Sequence, residues 1–187
     1  MSQSEIDYLI DCFVDTVNTS SREPVYEPDT PPSVFLGEPE DDGSCDWRIK
    51  PLVAIDWVET LEARLPFRIP AVYHSLVARY IFPAFELGDI YFFANTPEGT
   101  AFHEFRARIF LDEHMSPKLL EQGFLQLGNP AGGGYDPVCF DMNRASETDA
   151  PVAQLDHEEI LCNDRIVIVH EVAASLSDLI KASLLLS

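Results

Sequence analysis

Apolar positions recur at helical spacing from the start of the chain. Ile6, Leu9, Ile10, Phe13, Val14 and Val17 share one face, and Asp7, Asp11 and Asp15 lie off it. Ser2 and Glu5 stand three apart, the spacing of a capping box, so the helix is expected to begin there. Its apolar face has to be covered, and docking on its own chain is favoured over docking on a partner. Residues 18–46 then hold five prolines (Pro24, Pro28, Pro31, Pro32 and Pro39) among acids and serines. That composition predicts an extended linker or long loop, with Val34-Phe35-Leu36 as a local anchor.

Past Trp47 the helical period returns. Leu52, Ile55, Val58, Leu61, Glu62 and Leu65 trace a helix with Pro51 near its start and Pro66 at its end. Pro70 opens another, which carries Val72, Tyr73, Leu76, Val77 and Tyr80 and is closed by Pro83. Phe85-Glu86-Leu87 and Ile90-Tyr91-Phe92-Phe93 read as strands around a turn at Gly88-Asp89. The segment 100–113 is readable either way: Ala, Arg and Glu favour helix, and Ile109-Phe110-Leu111 favours strand. Ser116-Pro117 predicts a short helix that stops at Gly123. Phe124-Leu125-Gln126-Leu127 is a strand entering a glycine cluster, Gly132-Gly133-Gly134. Two short strands follow, Val138-Cys139-Phe140 and Val152-Ala153-Gln154-Leu155, each opened by Pro-Val and each closed by an acid. Arg165–Val169 is strand-like, and Ser175 or Ser177 caps a last helix through Leu179, Ile180 and Leu184. Helices, then neighbouring strands, then a helix predict an α+β fold with a mostly antiparallel sheet.

Composition adds one strong fact. The 187 residues carry 12 basic and 32 acidic side chains, a formal charge of −20. Residues 1–46 hold twelve of the acids and a single base, Arg22. That divides the chain into an N-terminal helix with a Pro-rich acidic segment, residues 1–46, and a body, residues 47–187. Nucleic acid and anionic membranes both need cationic surface, so neither is an expected partner. An acidic field instead favours solubility and attracts basic partners. Cys12, Cys45, Cys139 and Cys162 are scattered without a C-x-x-C pair, which argues against a zinc ribbon or a thioredoxin-type site. The N-terminus is acidic and no apolar run approaches the ~20 residues of a membrane span, so a cytoplasmic protein is expected.

Candidate chemistry gathers around the glycine cluster. A phosphate loop needs a lysine and a hydroxyl after the glycines, and Tyr135-Asp136 stand there instead. A dinucleotide fingerprint needs a helix next, and a strand follows. Asp136, Asp141, Asp156 and His157 offer ligands of the type a hard cation takes. Asp156-His157-Glu158-Glu159 is read as part of a strand, however, where neighbouring residues alternate faces, so the run cannot all converge on one ion. Neither G-x-S-x-G nor S-x-x-K occurs. No cofactor, metal site or catalytic residue is therefore assigned. Tyr135, Asp136, Asp141, Asp156 and Glu158 are the candidate partner-binding residues.

Taken in order, the residues from about Asp46 to Ser183 resemble the Smi1/Knr4 domain, the SUKH superfamily. The resemblance rests on the helix with Ile55, Trp57 and Leu61, the link through Leu65, Pro66, Pro70 and Tyr73, and the helix with Leu76 and Tyr80. It continues through the aromatic strands, the glycine-rich turn into Asp136-Pro137-Val138-Cys139-Phe140-Asp141, and Pro151-Val152 reaching Asp156-His157-Glu158. It closes on Ala173-Ala174-Ser175-Leu176-Ser177-Asp178-Leu179-Ile180, with Leu176 where the family has Phe. The resemblance implies a twisted sheet flanked by helices without catalytic apparatus. It further implies an immunity protein that blocks a secreted bacterial toxin, often a nuclease, by binding it. Fungal relatives imply an alternative, a regulatory scaffold. A metal-dependent hydrolase on Asp136, Asp141, Asp156 and His157 is the third reading.

Overall fold

A computed structural model describes residues 1–20, 23–26, 29–52, 57–96 and 104–186. The first helix, α1 (Gln3–Thr19), begins with the complete capping box: the Ser2 hydroxyl accepts from the Glu5 N–H, and the Glu5 carboxylate accepts from the Ser2 N–H. All six apolar positions on its face are buried, and burying each such side chain contributes roughly 1.5–3 kcal/mol. They lie in one hydrophobic cluster with residues of the body such as Val72, Leu76 and Ile180, so α1 docks on its own chain.

The Pro-rich stretch adds small elements. Strand β1 (Val25–Tyr26) pairs with β2 (Ser44–Cys45), and a single 3-10 turn spans Pro32–Val34. Val34 and Phe35 are buried with Cys45 and Ile81, whereas Leu36 is exposed. Strand β3 (Lys50–Pro51) pairs with β4 (Tyr80–Ile81), on either side of helices α2 (Trp57–Glu62) and α3 (Ala71–Arg79). This pairing corrects two expectations. Pro51 lies in a strand instead of at a helix start, and Tyr80 leaves the face of α3 to enter β4. Neither ladder partner is visible locally, because they are about thirty residues apart. Ile55 lies outside the described residues.

The main sheet continues with β5 (Phe85–Leu87), β6 (Ile90–Phe92), β7 (Phe124–Pro130), β8 (Val138–Asp141), β9 (Val152–Leu155) and β10 (Ile168–Ala173). Its six strands lie side by side in chain order, every neighbouring pair antiparallel. Helices α4 (Phe105–Leu111) and α5 (Ser116–Glu121) come between β6 and β7, α6 (His157–Asn163) between β9 and β10, and α7 (Leu176–Leu186) closes the chain. The fold is α+β, as the sequence predicts.

The two-residue period places each strand's side chains on opposite faces. Leu125, Leu127, Val138, Phe140 and Val152 join the cluster that holds α1, α3 and α7. Phe124, Cys139, Ala153 and Leu155 join a second cluster with Leu119 of α5 and Ile160 of α6. The close aromatics are core: Phe82, Phe85, Phe92 and Phe93 are buried, with Phe85 stacked on Phe92 at 5.5 Å.

One open reading is decided and two further local expectations change. The described part of 100–113 holds helix, with Phe105 and Ile109 buried. Ser116 does not cap α5; Asp112 accepts from the His114 and Met115 N–H groups, while the Ser116 hydroxyl donates to the Ile109 carbonyl. The last strand starts at Ile168: α6 ends at Asn163, its C-cap Asp164 lies in the left-handed region at φ +52°, and residues 165–167 link the two without joining either. The cap of α7 is Ser175, which accepts from the Asp178 N–H. Among the described residues, no helix is long and apolar enough to cross a membrane.

Candidate functional site

The glycine cluster is the turn that reverses β7 into β8. Gly132, Gly133 and Gly134 have φ of +78°, +98° and +133°, angles that L side chains resist. The turn delivers Tyr135, 78% exposed, and Asp136 to the start of β8. Because β8 and β9 are antiparallel, the start of one lies beside the end of the other, and the Leu155 N–H donates to the Pro137 carbonyl. Asp136 therefore meets Asp156 and His157 although twenty residues separate them.

Asp156 to Glu159 do not continue a strand, which corrects the expected alternation of faces. Asp156 is the N-cap of α6, its carboxylate accepting from the Glu159 N–H at 3.0 Å. The reason was legible: Asp156 and Glu159 stand at capping-box spacing before a helical run. Asp136 Oδ1 accepts from the His157 N–H at 3.1 Å and contacts His157 Nδ1 at 2.7 Å; Oδ2 accepts from Gln154 at 3.0 Å. Burial pushes the Asp136 pKa up, but these hydrogen bonds from His157 and Gln154 outweigh it and hold the carboxyl below its ordinary value. The Tyr135 ring lies 5.8 Å from the His157 ring.

Ligand atoms of Asp136, Asp156 and His157 lie within 4.8 Å of one another, close enough to share a cation. All three residues are already engaged in hydrogen bonds that build the turn and start α6. As a catalytic pair, His157 and Asp136 have an orienting carboxylate but no nucleophile: among the described residues, no hydroxyl or thiol bonds to the other ring nitrogen.

Asp141 is not brought to this cluster. It ends β8, about five residues and so roughly 16 Å from Asp136 along an extended chain. It is buried, accepting from the Asn143 N–H at 3.1 Å and from Arg144 at 2.6 Å. Of the five candidate binding residues, Tyr135, Asp136 and Asp156 gather around His157, Glu158 follows His157 in the first turn of α6, and only Tyr135 and Glu158 are exposed.

A second feature lies at the other end of the sheet. Between β5, the C-terminal turn of α1 and the segment around β1 runs an open groove of about 910 Å³. Val17, Val25, Trp47, Phe85 and Leu87 give it apolar walls. Glu23, Asp29 and Glu86 line it as well, and all three are exposed. Tyr91 also lines it; burial raises its phenol pKa, and the Glu86 and Asp29 carboxylates raise it further. The sequence shows the acidic excess of the N-terminal quarter but not the groove, whose walls come from separate stretches of the chain.

Neither a family model nor any curated protein or solved structure matches this chain.

Proposed function

We propose that this chain is a non-enzymatic protein-binding module of the Smi1/Knr4 type, acting in the cytoplasm as an immunity protein that neutralises a basic toxin. The observation that carries the reading is the uncompensated charge: −20 overall, with twelve acids and one base in residues 1–46. A nuclease needs a cationic cleft to hold its substrate's phosphates. An acidic protein competes for that cleft and is drawn to it by long-range attraction that raises the association rate. The groove with Glu23, Asp29 and Glu86 supports the same reading, since it couples negative charge to apolar surface as a protein interface does.

The test is co-expression with each secreted toxin encoded in the neighbourhood of this gene. The expected result is restored growth and a stable complex on size exclusion, with association slowing steeply as salt rises. Failure of every neighbouring toxin to bind in a low-salt pull-down overturns the reading.

A further inference from the structure

The main sheet ends at β5, and its outer side is the groove. Leu87 and Ile90 close a hairpin around Gly88 and Asp89, and Glu86 pairs with Tyr91. Pairs in an antiparallel ladder alternate between hydrogen-bonded and non-bonded. The two-residue turn makes Leu87–Ile90 a bonded pair, so Glu86–Tyr91 is a non-bonded one. Tyr91 faces Asn129 of β7, and the next alternate residue, Phe93, donates its N–H to the Leu127 carbonyl. Tyr91 thus turns its backbone toward β7, which leaves the Glu86 N–H and C=O directed outward into the groove. Among the described residues, no backbone group bonds to Glu86 on that side.

Charge decides what can lie there. Among the described lining residues the ionised side chains are Glu23, Asp29 and Glu86, and none is basic. The carboxylates of Glu23 and Asp29 have no hydrogen bond or ion pair among the described residues; Glu86 accepts from the exposed Gly132 N–H at 3.1 Å. An anionic or nucleic-acid occupant is repelled. A neutral apolar one leaves the acids without a counter-charge. Trp47 and Phe85 offer the floor for one large apolar side chain, and the acids on the rim fit cations at the positions flanking it.

Resting on the immunity-protein reading above, we infer that the groove receives an extended cationic segment of the partner protein as a seventh strand. The segment bonds to the outer backbone of β5, seats an apolar residue against Trp47 and Phe85, and sets Lys or Arg against Glu23, Asp29 and Glu86. Strand addition of this kind takes affinity from main-chain bonds and specificity from alternate side chains.

The experiment is fluorescence anisotropy with the full chain and a labelled peptide, Lys-Val-Lys-Trp-Lys-Val-Lys. Its comparators are the Glu counterpart and a version N-methylated along its bonding edge. Only the unmodified cationic peptide is expected to bind, more weakly as salt rises. Asp29→Lys with Glu86→Lys is expected to weaken binding by about tenfold or more, while Glu121→Lys on α5 leaves it unchanged. Circular dichroism confirms that each variant folds. Equal binding to the charge-reversed variant, equal binding of the N-methylated peptide, or no binding of the cationic peptide overturns the inference. If the neighbouring toxin binds wild type and the double variant alike, the groove is wrong and the immunity reading stands. If the peptide binds as expected but no toxin does, the groove stands and the immunity reading falls.

Discussion

The acids between the β7–β8 turn and the start of α6, and the acids lining the groove beside β5, belong to the same negative chain and do opposite things. At the turn, Asp136 and Asp156 accept from backbone N–H groups, and Asp141 at the far end of β8 accepts from Asn143 and Arg144. Along the groove, the Glu23 and Asp29 carboxylates accept no hydrogen bond from the described residues, although they line an apolar cleft. A carboxylate whose lone pairs are filled by the fold stabilises the fold. One whose lone pairs face open solvent projects its field outward, where a partner can meet it. A count of acids is therefore a poor guide to a binding site; what matters is which of them the fold has left unengaged.

The comparison breaks most visibly at Asp149. This buried residue was not singled out by any motif, and its carboxylate accepts from the Leu176 N–H at 3.1 Å and the Ser177 N–H at 2.9 Å. It holds the start of α7 from 27 residues away. Asp149→Ala strands those donors and is expected to cost about 2–3 kcal/mol in chemical denaturation. A loss below about 0.5 kcal/mol, the range of ordinary surface substitutions, would mean that fold-engaged acids are not distinguished as described.

Asp136 gives a smaller effect with a defined pH dependence. Its folded pKa lies below the unfolded carboxylate value of about 3.9. Its contribution is thus fully present above the unfolded value and is lost as pH falls through the depressed folded one. Asp136→Asn is expected to lower stability near neutrality by about 1 kcal/mol. The gap from wild type should close on acidification below about pH 4. Urea melts across pH check this; a gap that stays constant into acid would show that the His157 and Gln154 contacts do not favour the ionised form.

The smallest effect on stability belongs to the groove. Glu23→Lys and Asp29→Lys are expected to shift thermal unfolding by no more than about 0.5 kcal/mol, in the stabilising direction, because each reduces self-repulsion in a −20 chain. A clear destabilisation would place these acids with Asp136 and not opposite it.

Local signals were read correctly where the deciding atoms lie within a few residues. Ser2 and Glu5 cap each other, Gly88-Asp89 turns a hairpin, and the six apolar positions of α1 are all buried. The Asp156 cap is equally local, but the apolar Val152–Leu155 run before it extends the strand pattern over a capping-box spacing and masks the helix start. Pro51 and Tyr80 depart from the expected helices for a different reason: each is in a strand only because the other is beside it. The candidate patch is partly legible in the sequence, since Tyr135, Asp136 and Asp156 do converge around His157. Asp141 does not join them, because the extended strand β8 carries it away.

The sequence by itself determined the periods, the caps, the glycine turn and the excess of negative charge, because these depend on a residue and its near neighbours. Only the tertiary structure decided which acids are engaged and which are open, that α1 packs into the core, and that β5 is an edge. Those outcomes depend on pairings between stretches tens of residues apart. The same carboxylate is a cap or a free charge according to which backbone N–H the fold brings to it.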